Sequence, residues 1–139
     1  MNHAPSLRRV PPLLPFVAGI AVGALSWLAA SVVSGTFEPY DSSAGLLVNQ
    51  LVLCSPAFIL ALRHRMAVPF LLLAGAYFGM NAYAYGFGGS GQRAWVGLGA
   101  AVSLLLLVLP ATLTIGAAIL RRLRRPRSPV ETNAPQTDE

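Results

Sequence analysis

The sequence predicts an all-α membrane protein whose four transmembrane helices form a compact bundle with both termini in the cytoplasm. Residues 10–37, 42–62, 66–92 and 94–120 contain no charged residue. Each stretch can supply the ~20 apolar residues that cross a ~30 Å hydrocarbon core, and helices satisfy their own backbone hydrogen bonds one segment at a time in lipid. All ten basic residues are arginine: Arg8, Arg9, Arg63, Arg65, Arg121, Arg122, Arg124, Arg125 and Arg127 fall on one side of the alternating topology, and Arg93 alone falls on the other. The bias of arginine toward cytoplasmic loops assigns that side to the cytoplasm.

Composition narrows the function classes. With 55% hydrophobic and 11% charged residues in 139, the chain has too little polar surface for a soluble domain of this size. The net charge of +5 does not indicate nucleic acid, because the arginines flank apolar segments instead of alternating with aromatics on a basic face. Cys54 is the only cysteine, so an intrachain disulfide or a cysteine zinc set is excluded, and a packing thiol is expected. The absence of lysine and the abundance of Ala, Leu, Gly and Pro suggest a GC-rich bacterial genome and hence a bacterial inner (cytoplasmic) membrane. The first apolar run exceeds the ~7–15-residue core of a secretory signal, and Pro11 and Pro12 follow Arg8 and Arg9 where a twin-arginine signal continues with apolar residues. An uncleaved first helix is expected.

Along the chain, residues 1–12 form a cytoplasmic tail, residues 13–125 the bundle and residues 126–139 a second cytoplasmic tail, poor enough in apolar residues to be disordered. Pro15 suits the first turn of helix one, at about 14–34. Asp41 or Ser42 suits the N-cap of helix two, at about 42–62. Pro69 opens helix three, at about 67–86, which fades into a flexible glycine-rich connection over 86–91. Helix four is expected at about 94–121, opened by Trp95 and closed by arginines. Pro56 and Pro110 interrupt helices two and four, each removing an intrahelical hydrogen bond. At an offset of 54 residues Pro15, Phe16, Pro56 and Ala57 overlie Pro69, Phe70, Pro110 and Ala111. That agreement fits a parallel duplication of a helical hairpin, and also the composition of two Leu-, Ala-, Gly- and Val-rich halves.

Four groups of residues are candidates for function. Gly19 and Gly23, and Gly75 and Gly79, are four apart on one helix face, where small residues permit close helix packing, either within the bundle or against another subunit. Asn49, Gln50, Asn81 and Ser103 lie ~8–12 Å from the outer end at the helical rise; with Tyr77 they form a candidate polar layer in which Asn49 and Asn81 are expected to pair. That layer reads as interhelical glue or as the wall of an outward vestibule, with Glu38 and Asp41 at its mouth. Phe37, Tyr40, Tyr83, Tyr85, Phe87 and Trp95 read as an interfacial aromatic belt. Arg121, Arg122, Arg124 and Arg125 are expected to contact anionic inner-leaflet lipid.

No nucleophile with a base, phosphate loop, cofactor motif or metal set emerges, so an enzyme is not expected and no cofactor is implied. The spans contain no ionisable residue of the kind that marks proton relays. The expected role is an accessory or self-associating membrane component, with the bilayer and another membrane protein or a second copy as partners. The alternative is a minimal carrier or channel for a small solute.

Overall fold

The computed structural model describes residues 11–124 and is all-helical over them. The terminal tails, with Arg8, Arg9, Arg125 and Arg127, lie outside the described residues. Helix α1 spans Leu13–Ser34 and is followed by a single 3-10 turn, Pro39–Asp41. Helices α2 (Ser43–Arg63) and α3 (Ala67–Phe87) come next, then a short α4 (Ser90–Ala94), α5 (Val96–Leu106) and α6 (Val108–Leu123). Four segments are long and apolar enough to cross a membrane: Leu13–Asp41, Ser43–Arg63, Ala67–Phe87 and Gly97–Leu123.

Local chemistry explains the ends. Pro15 sits in the first turn of α1, where its missing N–H costs nothing. Gly35 ends the helix in the left-handed region at φ 70°, its N–H bonding the Ser31 carbonyl at 3.0 Å; such a cap favours a residue without Cβ. Ser42, one of the two expected caps, accepts from the Gly45 N–H at 2.9 Å at the start of α2.

Helices α1 and α3 run parallel and meet along the glycines. A Cβ at Gly19 or Gly23 would overlap the carbonyl of Leu72 or Ala76, and one at Gly75 or Gly79 would overlap that of Phe16 or Ile20. All four glycines therefore serve one seam inside the bundle, where backbone meets backbone and dispersion replaces the missing hydrophobic force. Beside it, Asn49 of α2 donates to Ser26 Oγ of α1 at 3.1 Å, and Ser26 donates to the Gly23 carbonyl at 2.8 Å. Trp27, Leu53, Ala57, Leu72, Leu73, Ala76, Met80, Leu106 and Leu107 fill the core.

Two expectations about the helices need correction. The connection after α3 is not a glycine-rich coil throughout: Gly88 is extended, Arg93 N–H bonds the Gly89 carbonyl at 3.1 Å, and Ser90–Ala94 turn helical again. The fourth span, expected as one helix interrupted at Pro110, is divided in two at Leu107. Pro110 has no N–H to offer the carbonyl four residues earlier, that of Leu106. Gln50 of α2 supplies the donor instead, its Nε2 lying 3.0 Å from the Leu106 oxygen. Pro56, by contrast, lies inside the unbroken α2. At the opposite end from Glu38, Arg121 donates to the His64 carbonyl and ties α6 to the α2–α3 turn.

Candidate functional site

The break at Leu107 frees α5 to follow α3 while α6 packs on α2, and a cavity of about 730 Å³ remains at the Glu38 end between α1, α3 and α5. Helix α1 and the turn after it contribute Trp27, Phe37, Glu38 and Tyr40. Helix α3 contributes Tyr77, Phe78, Asn81, Ala84 and Tyr85. Gly91, Trp95, Leu98, Gly99, Ala100 and Val102 complete the wall. The space exists because small residues, Ala84, Gly91, Gly99 and Ala100, stand among large rings.

The turn holds its carboxylate in place. Ser34 and Thr36 hydroxyls bond one another at 2.8 Å, Thr36 Oγ1 donates to the Glu38 carbonyl at 3.3 Å, and Pro39 is buried. Trp27 lies 6.3 Å from Phe37 and 6.4 Å from Tyr40 between ring centroids, the second pair perpendicular. Burial, and then the neighbouring Glu38 carboxylate, push the Tyr40 phenol well above its usual pKa. These three rings and Glu38 line the same end of the cavity. Trp27 is 2% exposed, and its Nε1 has no hydrogen-bond partner among the described residues.

The candidate polar layer does not form a unit. Asn49 is fully buried and bonds Ser26; its Oδ1 has no partner among the described residues. Asn81 donates to the Tyr77 carbonyl of its own helix at 2.8 Å. The expected Asn49–Asn81 pair is therefore absent, because equal depth says nothing of rotation about the helix axis, and α2 turns Asn49 toward α1. Gln50 is taken up by Leu106, and Ser103 is buried with its hydroxyl unpartnered among the described residues. Only Tyr77 and Asn81 of that layer reach the cavity, with Glu38 from the expected mouth; Asp41 is exposed and outside the lining.

The aromatic belt is also more than a belt. Phe37, Tyr40, Tyr85 and Trp95 line the cavity, and Tyr83 stacks between Phe37 at 6.2 Å and Phe87 at 4.7 Å. Sequence reasoning missed Trp27, Phe78 and the α5 wall. Trp27 carried a signal, being the one tryptophan deep inside a charge-free stretch. Of the expected lipid-contacting arginines, Arg121 donates to His64 while Arg122 and Arg124 are exposed.

Neither a family model, nor a curated protein, nor a solved structure matches the chain.

Proposed function

We propose that the protein is a small multi-pass protein of a bacterial inner membrane that binds a hydrophobic small molecule, as a minimal carrier or receptor and not as an enzyme. The cavity between α1, α3 and α5 carries this reading. Its volume of about 730 Å³ falls within the ~300–1,000 Å³ of sites that enclose drug-sized ligands, and an apolar aromatic lining with a few polar groups is their usual chemistry. The alternative role, an accessory component working by helix packing, finds no free surface at Gly19, Gly23, Gly75 or Gly79, which are engaged within one copy.

Both tryptophans of the chain, Trp27 and Trp95, line the cavity, so fluorescence reports its occupancy. In a Trp95→Phe variant only Trp27 remains, buried from the surroundings at 2% exposure. Titration with a terminally brominated decanol should quench it saturably through heavy-atom contact. Gly99→Phe should abolish the quenching, because Gly99 lines the cavity and a Cβ there meets open space. Quenching that rises linearly and ignores Gly99→Phe would eliminate the binding role.

The orientation we propose places the Glu38 end outside and both termini in the cytoplasm, supported by the nine arginines on one side. In a Cys54→Ala background, an impermeant thiol reagent should label Ser90→Cys in intact cells and spare Ser128→Cys. The reverse pattern would invert the protein in the membrane.

A further inference from the structure

We infer that the cavity takes an amphiphilic organic cation, its ammonium head against the Phe37 and Tyr40 rings beside Glu38 and its hydrocarbon chain between α3 and the fourth span. This assignment rests on the binding role proposed above. Among the described residues Glu38 is the one ionisable carboxylate in the lining, and no arginine or histidine lines the cavity. Aromatic faces attract a cation through their quadrupole, most strongly where water is displaced, and a carboxylate beside them adds the opposite charge. An anionic head would meet Glu38 without a compensating donor of positive charge in the wall. The surrounding charges agree: Asp41 stands close enough to act on Tyr40, and Arg93 lies outside the lining. Arg93 places its guanidinium 5.8 Å from the Tyr85 ring centroid, a like charge that directs the head away from Tyr85 and toward Glu38.

The chain has its own place. A second hollow of about 340 Å³ runs along α3 and the fourth span, lined by Leu73, Leu104, Leu107 and Ala111 among others, and it shares Tyr77 and Phe78 with the cavity. The two spaces adjoin at those rings. The head space holds a carboxylate and the second hollow is walled by apolar residues and Tyr77, which is the polarity of a single-chain ammonium amphiphile with its head toward Glu38.

The test uses the Trp95→Phe protein in nonionic micelles with three probes of equal chain length, each brominated on the second carbon from the head: decyltrimethylammonium, decanol and decyl sulfate. The ammonium probe should quench Trp27 at about tenfold lower concentration than the alcohol, a ratio equivalent to one desolvated cation–π and charge contact. The sulfate should be weakest. Glu38→Gln should bring ammonium and alcohol together, whereas Asp41→Asn should keep their order. Ala74→Phe, which fills the hollow where Ala74 lines it, should weaken the decyl probe while leaving competition by tetramethylammonium unchanged. Equal saturable binding of ammonium and alcohol to the parent protein would overturn the cation assignment and leave the binding role standing. A cation preference that survives Glu38→Gln would overturn the placement of the head. If none of the three probes saturates, the binding role itself falls.

Discussion

Replacing Gly23 or Gly79 with leucine is expected to prevent the bundle from assembling. At Gly23 even a Cβ would overlap the Ala76 carbonyl, and at Gly79 the Ile20 carbonyl. These obstacles are backbone atoms, which cannot rotate aside as a side chain can. Overpacking a dense core costs ~1–3 kcal/mol, so Gly→Ala at either position should already lower the melting temperature. Leucine adds a branched group to the same collision, and the protein should aggregate on extraction into mild detergent. Gly116→Ala in α6 is the matched control, because a Cβ there meets nothing within 4 Å; it should melt no lower than the parent. A Gly79→Leu protein that elutes and melts like the parent would show that α1 and α3 do not meet along this seam.

The first three spans were legible because their limits are set locally. Arginines, prolines and a capping serine bracket each apolar run, and the helices Leu13–Ser34, Ser43–Arg63 and Ala67–Phe87 fall within a residue or two of their expected bounds. The glycine spacing was legible too, but not which helices it would join. Pro110 announced a lost hydrogen bond without revealing its consequence, since the compensating donor, Gln50, is 56 positions from the Leu106 carbonyl it bonds. The polar layer failed for a related reason: counting residues gives depth, whereas the partner of Asn49 depends on which neighbour its face meets. Ser26, a hydroxyl free to bond its own helix at Gly23 and to accept from Asn49, took that role. The cavity was the least legible feature. It consists of volume left unfilled where Ala84, Gly99 and Ala100 stand among Trp27, Tyr77 and Phe78, and no single residue marks such a space.

Gln50→Leu is expected to destabilise the protein by about 1–3 kcal/mol, the cost of leaving a buried acceptor without its donor. The acceptor is the Leu106 carbonyl, bonded by Gln50 at 3.0 Å. In a Pro110→Ala background the N–H restored at position 110 can bond that carbonyl within the helix, so Gln50→Leu should cost far less there. The double-mutant cycle, read from thermal unfolding in detergent, should show this coupling, and additive effects would dissociate Gln50 from the proline. The same pair of residues controls the site, because the break they maintain at Leu107 lets α5 form the cavity wall. Titrating the single-tryptophan Trp95→Phe protein carrying Pro110→Ala with brominated decanol tests that link directly. The fold described here predicts a protein that melts at or above the parent yet binds about tenfold more weakly or not at all, a loss of roughly 1.4 kcal/mol or more. A well-folded Pro110→Ala protein whose Trp27 is quenched at the parent's concentrations would contradict it.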